Sequence, residues 1–446
     1  MNFFKNAALH NPDFVKLEKY VNGKNKLPAL VTGVSHIHKA HFIAGLLSDV
    51  PTLVIAESEG EAQKLCLDIN MLLGEQAALL YPEKEFILAD AEAASREYEH
   101  KRIFALNALF NNSCKAVICS AGAAAQLTIP PEELKKRLIT ITSEDELSLE
   151  ELTAQFIAAG YSRADMIEGA GQFSVRGGII DVFPPSAANP FRIELWGDTV
   201  DSLSEFDVES QRRTSSLENI SISPARETLF GSGEALCGKI EALAKKLRGK
   251  KADAVRANLQ NDVNRVRGGA GVRNADRYFP LCYESEATVF DYVDRVFVCE
   301  NASVRESFRA ATLQHSEDLN ILVDEAKLCK GLERFMLTKN ELYSVIENRT
   351  RVYFDSFLRG GGVELGAMIA VKSAIQNSPW GGEYKILEDE MRGLLEKKMC
   401  CFIFAGTEKG AVNLARDLAD DGFNAEFYAN PSEPIPVPGI GSLGFA

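Results

Sequence analysis

The stretch LPALVTGVSHIHKAHFIAGLL, residues 27–47, decides the fold. An apolar strand signal, ALVT, ends at Gly33, Lys39 follows six residues later, and a helical run from about Lys39 to Leu47 comes next. A phosphate-binding loop reads G-x-x-x-x-G-K-[ST] between a buried strand and a helix. Gly33 and Lys39 stand in place, but His38 occupies the second glycine position and Ala40 the hydroxyl position. A histidine crowds the space where backbone N–H groups wrap a phosphate, and alanine offers no oxygen to Mg2+. Either the stretch is a nucleotide site that has lost its chemistry, or it never was one. His36, His38 and His41 lie close together, but no Cys, Asp or Glu within the cluster completes a metal site, so no metal is expected.

Outward from this stretch, short apolar strands alternate with amphipathic helices over the first 125 or so residues. TLVIA (52–56) precedes a helix from about Glu59 to Leu73, and AVICS (116–120) is another buried-strand signal. Strand–helix–strand repetition predicts an α/β fold with a parallel sheet. From about 126 to 208 the pattern becomes α+β. A helix from about Ser148 to Ala159 precedes FSVRGGIIDVFPP and FRIELWGDTVDSLSEF, in which WGDT predicts a tight hairpin. Helices and strands return over 209–340. A small strand–helix–strand unit over 341–430 contains a helix from about Glu408 to Leu418, and the Pro/Gly-rich end, 431–446, reads as the start of a linker.

Composition narrows the class. The 446 residues carry 49 basic and 63 acidic side chains, a net charge of −14, which argues against a non-specific nucleic-acid binder. The local exception is Lys239 to Arg277, with eleven basic and four acidic residues. It reads either as a DNA-binding face or as a solvated helical face. Nine cysteines without a CxxC pair suit a reducing cytosol. No apolar run reaches the ~18–20 residues of a membrane span, so a cytoplasmic location with no membrane contact is expected.

A second strand bears on the nucleotide question. Hydrolases with phosphate loops carry an acidic pair at the end of a strand, where the Asp helps hold the metal. In DRVFVCENAS (294–303), Cys299 and Glu300 stand where Asp-Glu would be expected.

The most specific segment is GYSRADMIEGAGQFSVRGGIIDVFPPSAANPFRIELWGDTVDSLSEFDVESQR, 160–212. Arg163, Arg176 and Arg192 fall on its short strands, and arginine forks suit bidentate pairing with carboxylates at a protein interface. Gly177 and Gly178 leave the backbone beside Arg176 open to a partner. Tyr161, Phe173 and Phe183 supply apolar ballast or core, and Asp181 and Phe183 border that core.

This segment resembles the UvrA-binding domain of the repair helicase UvrB. With YPEKEFILADAEAASREYEHKR (81–102), ISPARE (222–227) and YFPLCYESEATVFDYV (278–293), the chain is similar to the N-terminal, UvrB-like region of the bacterial transcription-repair coupling factors, the Mfd family. The resemblance implies a degenerate RecA-like (helicase-like, P-loop NTPase-like) domain split into 1–125 and 209–340. A UvrA-binding domain is inserted at 126–208, and a small α/β domain at 341–430 has no known role. It implies UvrA as partner, with RNA polymerase and double-stranded DNA as partners of the full-length protein. ATP and Mg2+ would act only in translocase domains that this chain lacks, so no cofactor is expected here and the chain reads as a fragment. Arg163 and Arg176 match two UvrB arginines presented to UvrA; Ser174 replaces a third. In the family a C-terminal domain covers the UvrA site until the motor acts, so a chain without it is expected to bind UvrA constitutively. The rivals are an active UvrB-type ATP-dependent DNA helicase and a DNA-binding module using 239–277. Against the helicase stand His38, Ala40 and Cys299, and the lack of an aromatic-rich stretch for a DNA-gripping hairpin between Gly33 and Asp49 or Tyr81 and Tyr98.

Overall fold

A computed structural model describes residues 11–84, 96–249, 251–269, 272, 274–358, 363–371, 381–397, 401–403, 405, 407–429 and 443–445. The first strands are β1 (Ala29–Thr32), β2 (Thr52–Ala56), β3 (Ala78–Tyr81) and β4 (Ala116–Ser120). The middle of the chain supplies β5 (Ile139–Thr142), β6 (Ser162–Arg163), β7 (Gln172–Arg176) and β8 (Ile179–Val182). It continues with β9 (Phe191–Trp196), β10 (Thr199–Phe206), β11 (Arg213–Leu217) and β12 (Asn219–Ile222). Next come β13 (Arg295–Cys299), β14 (Thr350–Asp355) and β15 (Ala367–Ala370). The last three are β16 (Cys401–Ile403), β17 (Ala425–Phe427) and β18 (Leu443–Phe445).

The chain divides into two compact units, one of Met1–Leu47, Lys64–Ala77 and Phe354–Ala446, the other of Ser48–Gln63 and Ala78–Tyr353. In the larger unit β13, β2, β4 and β3 lie side by side, all parallel. Their apolar runs are continuous because both faces are covered: every residue of β2 and β4 is buried. The helix Glu59–Leu73 forms where the spacing predicts it, with Ala62, Leu65 and Ile69 buried at three- and four-residue intervals.

The insert has its own core. A six-stranded sheet in the order β11-β10-β9-β8-β7-β6 packs Phe173, Ile180, Val182, Ile193 and Leu203 against the helix Leu149–Ala158. Ser148 caps that helix through the backbone N–H of Glu151, and Leu152 and Phe156 are its buried face. The WGDT hairpin forms as expected: Trp196 pairs with Thr199, and Gly197 takes the positive φ of +63° that the turn needs. The insert extends past the expected boundary at 208. β11 pairs with β10, β12 pairs with β5, and Ile220 and Ile222 enter the insert's core.

Over 233–267 two helices, Gly233–Lys246 and Ala252–Arg267, pack on Tyr278, Phe279, Leu332 and Phe335 in a separate apolar cluster.

In the smaller unit β1 pairs in parallel with β15. β15 therefore belongs with β1 and not with the small domain expected from 341. That domain begins instead near the helix Tyr384–Glu396, which shares a core with the helix Glu408–Asp420. Part of the expected linker is structured: β18 is the middle strand of a three-stranded parallel sheet, between β16 and β17. A strand between two short edges meets hydrogen-bond demand on both sides, and that pairing is invisible in a Pro/Gly-rich composition.

Candidate docking face and the altered phosphate loop

The candidate docking face is built by the hairpin β7–β8 and its neighbour β9. Residues two apart on a strand share a face. One face carries the core row Phe173, Val182, Phe191; the other carries Ser174, Asp181, Arg192 and Ser204, which are cross-strand partners in that order. Asp181 is only 1% exposed, yet it is not isolated. Arg176 Nη2 donates to its Oδ2 at 2.6 Å, and Arg192 donates from Nε to Oδ1 at 2.7 Å and from Nη2 to Oδ2 at 2.9 Å. Two guanidiniums thus give the buried carboxylate three hydrogen-bond donors, the pairing that a buried acidic side chain requires.

The two arginines are not equivalent. Arg192 is 13% exposed, its Nη1 donates to the Gln211 carbonyl at 3.2 Å, and its guanidinium lies 4.5 Å from the centre of the Phe206 ring. The hydrogen bond to Asp181 holds its pKa above the ordinary arginine value. Arg192 is therefore engaged within the fold, through Asp181, the Gln211 carbonyl and the Phe206 ring. Arg176 is 46% exposed and holds Asp181 by one nitrogen, which leaves donors of its fork for a partner. Gly177 makes the turn at φ +61° with open space where a Cβ would stand. Gly178 is required by packing, because a Cβ there would sit 2.8 Å from the Leu195 carbonyl oxygen.

Arg163 is exposed on the edge strand β6, and its guanidinium has no partner among the described residues. It pairs in register with Phe173, so it stands in the row opposite that of Arg176. The two arginines thus flank the β6–β7 edge from its two faces. Ser174 is buried. Asp181 lies under Arg176 and Arg192, and Phe183 is half-buried.

The stretch 33–40 departs from a phosphate loop in shape as well as in composition. The helix begins at His36, three residues before Lys39, and only Val34 and Ser35 separate it from Gly33. The residues that would wrap a phosphate are thereby wound into the helix. Gly33 has φ +77°, and a Cβ there would lie 2.3 Å from the Val371 carbonyl oxygen. Its glycine answers to chain packing. Lys39 is 7% exposed and donates from Nζ to the Ser356 hydroxyl at 3.0 Å, while that hydroxyl donates to the Val34 carbonyl at 3.2 Å. His38 Nδ1 is 2.8 Å from the Ser35 hydroxyl, and burial, then His41, lowers its pKa. His36 Nε2 is 3.0 Å from Asp68 Oδ2, a pairing across 32 residues that a solvated-loop reading misses. Ala40 is fully buried. In the other unit, Cys299 ends β13 buried, and Glu300 takes a left-handed conformation, φ 57°, at the start of the helix Asn301–Asp324.

The basic stretch 239–277 spends much of its charge internally. Arg267 pairs with Glu234 and Glu241, Arg256 with Asp253, Lys251 with Asp324 and Arg277 with Asp262. This arrangement fits the solvated-face reading better than a cationic DNA face.

A buried ion cluster was not anticipated. Arg102, with no exposed surface, donates to Glu227 at 3.0 Å, and Arg226 bridges Glu99 at 3.0 Å and Asp276 at 2.9 Å. Lys84 Nζ lies 3.5–3.6 Å from Glu99, Glu227 and Asp276. Burial pushes the Glu99 carboxyl up, but Lys84 and Arg226 outweigh it and hold the group at about 2. Arg226 and Glu227 are where the insert rejoins the rest of its unit, so the cluster locks the insert's root. Its trace in the sequence is the charged pattern of REYEHKR, which reads equally as a solvated helix face.

Residues 139–227 match the UvrB interaction domain family, and this span holds the whole six-stranded sheet with Arg163, Arg176 and Arg192. The fold around it is α/β. The chain as a whole is similar to the transcription-repair-coupling factor of Bacillus subtilis (strain 168), with 26% identity over 403 residues, 88% of this chain and 34% of that protein. The factor of Staphylococcus haemolyticus is 25% identical over 390 residues, 85% of this chain and 33% of that one. That of Staphylococcus aureus (strain MRSA252) is 22% identical over 404 residues. The chain spans about a third of the length of these curated relatives.

Proposed function

We propose that this chain is the UvrB-like docking module of a transcription-repair coupling factor, and that its inserted sheet recruits UvrA to sites of stalled RNA polymerase. The carrying observation is Arg176, half-exposed above the buried Asp181 within the segment that matches the UvrB interaction domain. A guanidinium already oriented by an internal carboxylate loses little further freedom when a partner's carboxylate meets it, which is the condition for tight charged contacts. RNA polymerase and double-stranded DNA are assigned to other parts of the full-length protein.

The parallel-sheet region is a RecA-like remnant that no longer hydrolyses ATP. Supporting this are the helix that has absorbed the phosphate loop, the engagement of Lys39 with Ser356, and the absence of a hydroxyl at Ala40. No cofactor is assigned to the chain. Calorimetric titration of purified UvrA into the chain, beside a magnesium-dependent ATPase assay, tests both parts. Saturable binding with no turnover is expected. Turnover by the chain alone, or no heat of binding, contradicts the proposal.

A further inference from the structure

Trp196 is 84% exposed, more than any other large apolar side chain among the described residues. It ends β9, just before the Gly197–Asp198 turn into β10. Register puts it on the sheet face that carries Arg176: Arg176 stands opposite Ile179, Ile179 opposite Glu194, and Trp196 lies two residues beyond Glu194. With strands ~4.8 Å apart and a rise of ~3.3 Å per residue, the two Cα atoms are about 12 Å apart. Gly177 and Gly178 turn the chain beside Arg176, Gly197 follows the indole, and a Cβ at Gly177 or Gly197 would meet nothing within 4 Å.

We infer that Trp196 and Arg176 form one docking patch for a folded protein that offers a carboxylate beside an apolar recess. This rests on the docking role proposed above and deepens it by naming the apolar anchor of the same face. An exposed indole and a pre-oriented guanidinium are the two side-chain types that most often dominate interface energy. The matched family segment spans both, so the patch is continuous with the proposed UvrA-binding face. A nucleic acid fits less well. Asp198 and Asp201 are exposed near the indole, and a base stacked there would bring phosphates against carboxylates.

The test uses the full 446-residue chain and purified UvrA. Trp196→Ala is compared with the unaltered chain by calorimetry, with a thermal melt as control. In a Trp380→Phe background Trp196 is the one remaining tryptophan, so 5-fluorotryptophan labelling lets its 19F resonance report alone. Trp196→Ala is expected to weaken UvrA binding about 30-fold or more with an unchanged melt. The 19F signal is expected to shift on adding UvrA and to lose its H2O/D2O solvent effect. If the unaltered chain binds UvrA and Trp196→Ala binds within about 2-fold, the patch is overturned while the docking role stands. If the unaltered chain does not bind, both fall. A 19F shift caused by duplex DNA or by self-association, and not by UvrA, also overturns the patch.

Discussion

Lys39 lies in the first turn of the helix that follows β1, Arg176 ends β7 before a glycine turn, and both hold an oxygen at hydrogen-bond distance. They differ in what they leave to solvent. Lys39 is 7% exposed, its ammonium engaged by Ser356 inside its own unit; Arg176 is 46% exposed, tied at one nitrogen to a carboxylate beneath it. The first is a cation turned into a strut, the second a cation held out with donors to spare. A lysine at a motif's spacing can be wholly taken up by its own fold when the chain closes on it. A buried carboxylate, conversely, can aim a surface group without consuming it.

The largest effect that would break this contrast is at Asp181. Asp181→Ala leaves Arg192 facing no carboxylate in a partly dry site, so it is expected to cost about 3 kcal/mol of stability and to abolish UvrA capture. Urea denaturation beside the binding titration checks it, and loss of capture at unchanged stability would show that Asp181 orients without supporting the fold. The ion cluster at the insert's root sharpens the inward extreme. Glu99 titrates at about 2 in the folded chain against its ordinary 4.5, so the unfolded chain binds more protons between those values. Its contribution is fully present above about pH 4.5 and is lost as pH falls toward about 2. Thermal melts from pH 6 to pH 3 are expected to fall, and Glu99→Gln to start lower and fall less steeply. The smallest effect is at Lys39. Lys39→Ala is expected to cost about 1–2 kcal/mol through the lost hydrogen bond and stem packing, with UvrA affinity unchanged.

The legible parts of the fold were those whose residues meet a demand set by their own strand or helix. TLVIA and AVICS are buried on both faces and read as continuous apolar runs, and the helix at Glu59 shows its period. The insert's end escaped because β11 and β12 lie at sheet margins, where RTSSL is almost wholly exposed and its composition reads as loop. The helix start at His36 escaped because motif spacing says which residues are present and not whether the loop between them is wound. At the candidate site, the placement of Arg163, Arg176 and Arg192 on short strands was legible. Their orientation was not, because it depends on strand register and on Asp181, whose partners lie five and eleven residues away. Trp196 passed unremarked because an aromatic at a hairpin end reads equally as core.

The central claim is tested most directly by titrating UvrA into three forms of the chain: unaltered, Arg176→Ala and Lys39→Ala. Arg176→Ala is expected to bind about 30-fold or more weakly, a loss of ~2 kcal/mol or greater, with Asp181 still paired to Arg192 and the melt unchanged; Lys39→Ala is expected to bind as the unaltered chain does. Equal affinity of the unaltered and Arg176→Ala chains would contradict the account.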